Sequence, residues 1–137
     1  MRRKPTFTRA DRLEHLMTDE VERLLAYEVR KPMARQIKVV HAHLSPDLGH
    51  LRVQYVMVNG EEATDVITEF LQLTAGFVAR ALTESLQLRK KPQVAFHFDR
   101  DAMRSHRVEE LLAEEKRKAA ELAAAEVDAA KESDEQA

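Results

Sequence analysis

The sequence predicts a two-layer α+β domain, with helices on one face of a small sheet, followed by an acidic tail. Three observations carry this. Two long stretches space their apolar residues at three and four, three short stretches alternate at two, and the composition changes sharply near Arg107. The element order is α-β-β-α-(break)-α-β.

The first helix is expected over residues 9–30. Leu13, Leu16, Met17, Val21, Leu24, Leu25 and Val29 form one apolar stripe, and Thr8 in "TRAD" can cap it near Asp11. Pro32 sets the far limit, because the residue before a proline avoids the helical region. "QIKVVHAHL" and "HLRVQYVMV" then read as a hairpin reversed by "SPDLG". Leu51, Val53, Tyr55 and Met57 share one face and Arg52 and Gln54 the other, so one side of the sheet is covered and the other is wet.

Helical spacing returns at Val66, Ile67, Phe70, Leu71, Thr74, Phe77, Val78, Ala81 and Leu82, and runs to about Leu86. Gly76 falls in its middle and suggests a break, since an interior glycine costs about 1 kcal/mol relative to alanine. "QVAFHFD" is the third strand, with Pro92 at its start. A crossover from the hairpin to this strand completes the sheet.

The chain has 137 residues, 44% apolar and 34% charged, enough for one modest core. It has no cysteine, so disulfides and thiolate metal sites are excluded, which suits a reducing compartment. No apolar run reads as a signal peptide or a membrane span, and the expected location is the cytoplasm. Residues 1–107 carry 18 Lys+Arg against 14 Asp+Glu (+4), and residues 108–137 carry 4 against 10 (−6). The expected organisation is a basic arm over 1–8, a domain over 9–107, and an Ala/Glu-rich tail over 108–137, helical at first and disordered at its end.

The element order is that of the type II KH fold, whose members clamp a single-stranded backbone at a GXXG turn between two helices. Gly76 stands at the corresponding place, although the GXXG itself is absent. Three stretches, "SPDLGHLRVQYVMVNG", "TAGFVARALTESLQLRKKPQVAFHFD" and "HRVEELL", resemble the ribosome-binding factor A family in the same order. With the first helix, the resemblance covers about residues 8–112. It implies a KH-like domain in which an Ala-x-Gly kink replaces the turn. Here Thr74, Ala75 and Gly76 occupy the kink, with Thr74 where the family has alanine.

The resemblance further implies a non-enzymatic assembly factor that binds the free, immature small (30S) ribosomal subunit and its precursor 16S rRNA. It would assist late rRNA maturation, matter for growth in the cold, and be released by a ribosome-associated GTPase; a monomer without a cofactor is expected. The residues supply candidate phosphate contacts in three clusters: Arg2, Arg3, Lys4, Arg9 and Arg12; Arg80, Arg89, Lys90 and Lys91; and Arg100, Arg104 and Arg107. Such runs are also common as plain solvated surface.

Other chemistries fare worse. His41 and His43 share a strand face and could hold a metal with His50 or His97, but no suitably spaced carboxylate completes the set, so no metal is expected. Ser45, Asp47 and His50 have the residue types of a hydrolytic triad, yet they read as turn formers. No GxxxxGK[ST] occurs. The alternative function is a protein interaction module whose basic surface is incidental.

Overall fold

The computed structural model describes residues 8–135, with side chains to Lys131. Arg2, Arg3 and Lys4 lie outside the described residues. The chain divides into two compact units, one ending at Met103 and the other beginning at Arg104.

In the first unit, helix α1 (Arg9–Arg23) opens on a capping box. The Thr8 hydroxyl accepts from the Asp11 N–H at 3.2 Å, and the Asp11 carboxylate accepts from the Thr8 N–H at 2.9 Å. One wider turn, Leu24–Glu28, carries the stripe on, so Met17, Val21, Leu24 and Leu25 are all buried. The sheet contains β1 (Ile37–Leu44), β2 (His50–Met57) and β3 (Gln93–Phe98) in the order β1-β2-β3. β2 pairs antiparallel with β1 and parallel with β3. The parallel pair requires a crossover, and helix α2 (Asp65–Ser85) supplies it.

Alternation on β2 is as the sequence predicts from His50 to Tyr55, while Val56 beyond it is buried as well. Leu51, Val53, Tyr55 and Met57 are 1, 0, 2 and 4% exposed and face α1 and α2 in one core with Val21, Leu71, Val78 and Leu82. Each such side chain contributes roughly 1.5–3 kcal/mol by leaving water. On β1 the alternation is interrupted. The register shifts between Val39 and His41, so Ala42 turns into the core while His41 and His43 turn outward. Without that bulge, the period that buries Ile37 and Val39 would have buried both imidazoles.

β1 is an edge, and α1 covers it with one buried hydroxyl. Thr18 Oγ1 accepts from the Ala42 N–H at 3.1 Å and donates to the Glu14 carbonyl at 2.8 Å. The edge amide is thereby satisfied inside the fold. In the β1–β2 turn, the Asp47 carboxylate accepts from the Ser45 hydroxyl at 2.6 Å and the Gly49 N–H at 3.0 Å, and the His50 N–H donates to Ser45 Oγ at 2.9 Å. Ser45 and Asp47 are turn formers, as their residue types suggest. The Ser45 bond, then the Gly49 N–H, hold the Asp47 carboxyl below its ordinary range.

Where the sequence suggests two helices with a break, α2 continues through Thr74, Ala75 and Gly76 as one 21-residue helix. Buried side chains on both sides of the glycine, Phe70 and Leu71 before it and Val78 and Leu82 after it, anchor the helix to the sheet. That burial outweighs an intrinsic cost of about 1 kcal/mol. The helix ends in a Schellman motif: Leu88 N–H reaches the Thr83 carbonyl at 3.0 Å and Gln87 N–H the Glu84 carbonyl at 3.4 Å, with Gln87 left-handed at φ 51°.

Asp99 caps helix α3 (Arg100–Glu135), its carboxylate accepting from the Ala102 N–H at 3.0 Å. In the second unit the described side chains from Arg107 to Lys131 are exposed. Helix-favouring Ala, Glu and Lys residues and spaced pairs such as His106–Glu110 (2.9 Å) and Glu114–Lys118 (3.7 Å) support it locally.

Removing the Thr18 hydroxyl at constant shape, as Thr18→Val, strands the Ala42 amide and is expected to cost about 1–3 kcal/mol in urea denaturation. For Asp47, a depressed folded value means the turn's stabilisation is present above the unfolded carboxyl range and is lost as pH falls through the folded value. A carboxyl NMR titration of Ser45→Ala should show Asp47 titrating at higher pH than in the unsubstituted chain.

Candidate nucleic-acid interface

An open groove of about 580 Å³ runs between α2 and the edge strand β3. Its α2 wall is made of Ala75, Gly76 and Ala79, so backbone lies close to the surface. Its other lining includes His50 and Arg52 from β2, His97 from β3, and Lys91 from the loop between α2 and β3. Among the described residues, no Asp or Glu lines it.

Each polar side chain is there for a local reason. β2 buries Leu51 and Val53, so Arg52 between them must point outward. Gln54 pairs with His97 and Arg52 with Ala95 across the parallel ladder, so β3 lays its own outward residues alongside. Lys91 precedes buried Pro92, which fixes the start of β3. Two cations and two imidazoles beside a small-residue helix face offer donors to an anionic backbone that can come close.

Gly76 is exposed, and a Cβ built there would meet nothing within 4 Å. It lies inside a continuous helix, so neither an unusual backbone conformation nor a crowded neighbour requires glycine. Thr74 is half-buried, and its hydroxyl donates to the Phe70 carbonyl at 2.7 Å. This back-bond gives the β-branched residue a place in the helix and favours bending.

The candidate cations separate. Lys91, Ala75 and Gly76 meet in the groove, whereas Arg89 and Lys90 line a hollow of about 280 Å³ with Asp47 and Leu48. Lys90 contributes to lowering the Asp47 carboxyl, so part of its charge is answered within the chain. Arg80 is exposed one turn after Gly76; Arg9 and Arg12 are exposed on α1. Arg100 pairs with Glu62 at 3.8 Å, and both are largely exposed. Arg104 and Arg107 belong to the second unit.

Arg52, His50 and His97 line the groove without being among the predicted contacts. The alternation of β2 already put Arg52 on the wet face; the parallel pairing that sets His97 beside Gln54 has no sequence signal. A hollow of about 610 Å³ beside β1 is slightly larger, but its lining mixes Glu22 with Arg35 and Lys38 around Leu25, Tyr27 and Ile37. Against that hollow, charge favours the α2–β3 groove for a polyanion.

A family model described as ribosome-binding factor A matches residues 9–112. Ribosome-binding factor A of Pseudomonas putida is 34% identical over 101 residues, covering 72% of this chain and 76% of that protein. That of Aromatoleum aromaticum is 28% identical over 106 residues, covering 77% and 84%. The crystal structure of ribosome-binding factor A from Thermus thermophilus superposes with a TM-score of 0.58 at 17% identity, covering 66% of this chain and 96% of that one. The shared architecture is KH-like.

Because the site above Gly76 is open and its backbone helical, Gly76→Ala should raise stability by about 0.8–1 kcal/mol. Chemical denaturation of the two chains checks this, and an unchanged or lower midpoint would mean that the glycine is needed for the fold.

Proposed function

We propose that this chain, which belongs to the ribosome-binding factor A family, binds the small ribosomal subunit by holding 16S rRNA in the groove between α2 and β3. The observation that carries the reading is the groove itself, with Arg52 and Lys91 at its sides, a glycine in its helical wall and no lining carboxylate among the described residues.

The mechanism is binding. Arg52 and Lys91 neutralise phosphates and release their counterions. The Ala75–Gly76 face admits the sugar-phosphate backbone at short range, where a larger side chain would stand in the way. Outward Gln93, Gln54 and the two groove imidazoles offer hydrogen-bonding partners to sugars and base edges. Arg80 and the α1 cations Arg9 and Arg12 extend the basic surface along the chain.

The finer reading rests on family membership. The protein acts in the cytoplasm as a monomer on the immature subunit, assists late maturation of precursor 16S rRNA, and leaves with the help of a ribosome-associated GTPase. It matters most in the cold, where misfolded rRNA rearranges slowly. No helix of the described residues is long and apolar enough to cross a membrane, which fits an RNA-bound role.

Co-sedimentation with small subunits over a salt series tests the assignment. Arg52→Glu and Lys91→Glu should each weaken binding and lower the log–log salt slope by about 1, whereas Lys90→Glu, beside Asp47, should do less. Gly76→Leu keeps a good helix former and fills the groove, so it should weaken binding without loss of stability. Full binding by all of these chains would remove the groove. Loss of binding only on deletion of residues 113–137 would favour an interaction module instead.

A further inference from the structure

The outward turn of β1 brings His41 and His43 against α1, where Glu14 meets both. Glu14 Oε1 lies 3.3 Å from His41 Nε2 and 3.6 Å from His43 Nδ1, and one ligand atom from each of the three side chains falls within 4.8 Å of the others. The sequence offered no carboxylate for these imidazoles because Glu14 is 27 residues from His41 and reaches it only through packing.

These separations suit a shared ion. A tetrahedral centre with bonds of about 2.05 Å places its ligands about 3.3 Å apart. The support behind the three groups is also built. Thr18 links the Glu14 carbonyl to the N–H of Ala42, the residue between the two histidines, at 2.8 and 3.1 Å. On the far side of the ring, His43 Nε2 lies 3.2 Å from Gln54 Oε1. Gln54 Oε1 only accepts, so the hydrogen of that bond lies on Nε2, and Nδ1 is the ring nitrogen that faces the Glu14 carboxylate. An ion placed between Nδ1 and Oε1 would take a lone pair from each.

We propose that Glu14, His41 and His43 bind one divalent transition-metal ion of the zinc class, with the fourth position open to water. Two imidazoles and one carboxylate are borderline ligands that favour zinc, cobalt or nickel over calcium or magnesium. The ion would join α1 to the edge strand at the point where the bulge interrupts β1. The side chains of Glu14, His41 and His43 are 19, 39 and 55% exposed, so the ion can enter from solvent. Arg52, opposite His43 on β2, is the nearest cross-strand cation and is exposed.

The test uses the full chain without an affinity tag, titrated with Co2+ as a visible probe and with Zn2+ against a chromophoric chelator. One equivalent should bind, with a tetrahedral Co2+ absorption and a raised thermal midpoint. Glu14→Gln and His43→Ala should each lower affinity by at least about tenfold. His15→Ala, on α1 but outside the cluster, should leave it unchanged. In the unsubstituted chain, Zn2+ should shift the ring signals of His41 and His43 and spare those of His50 and His97, a readout independent of how the variants fold. Absence of saturable uptake, or uptake that survives both Glu14→Gln and His43→Ala, would overturn the site. So would imidazoles that titrate against Glu14 with protons alone and no metal uptake.

Discussion

One-sided burial of β2 is the constraint on which the rest of the domain depends. β2 is the central strand, hydrogen-bonded on both sides, and from His50 to Tyr55 its side chains alternate between a nearly dry face and an outward one. A register slip of one residue would drive Arg52 into the core and Val53 into water, at a cost of several kcal/mol for the buried charge alone. The pairing is therefore specified, and with it the places of both edge strands. β1 follows through the hairpin, while β3 is delivered in parallel by α2. The groove is a by-product of that geometry: α2 must cross over the sheet to reach β3, and the outward residues of β2 and β3 lie beside its small-residue face.

The two edges are managed differently. Along β1 the bulge, the Thr18 bond to Ala42 and the covering α1 occupy strand groups that another chain could otherwise pair with. β3 instead carries Gln93, Val94, Ala95 and His97 of the groove lining. Its short length, with Lys91 and Pro92 just before it, makes it a poor template for strand addition.

Much of this was legible in the sequence because it is local. The apolar stripe of the first helix, its Thr8 cap, the "SPDLG" reversal and the β2 alternation are each read from residues within a few positions of one another, and each stands in the structure, except that Leu16 of the stripe is exposed and Val56 on β2 is buried. The departures occur where a residue's surroundings come from elsewhere in the chain. Gly76 reads as a break by propensity, but Phe70, Leu71, Val78 and Leu82 hold the helix together by packing on the sheet. The bulge that turns His41 outward leaves no turn residue as a marker. "LRKKP" reads as one basic cluster, yet the left-handed Gln87 and the start of β3 send Lys90 toward Asp47 and Lys91 toward the groove.

Gly76 then poses an energetic question that the fold alone does not answer. A glycine inside a helix gives up about 1 kcal/mol relative to alanine, a noticeable share of the roughly 5–15 kcal/mol that keeps a domain folded. Such a cost is usually met by a backbone angle that only glycine adopts, or by a neighbour that would collide with a methyl group. Neither holds here: the residue is helical, and the space above it is open. What remains is the space itself. It lies in a groove edged by Arg52 and Lys91, and the partner that would occupy it comes from outside the chain. On the proposed reading, RNA backbone comes close at the one point where the helix surface carries no side chain, and the lost helix stability is the physical counterpart of that access.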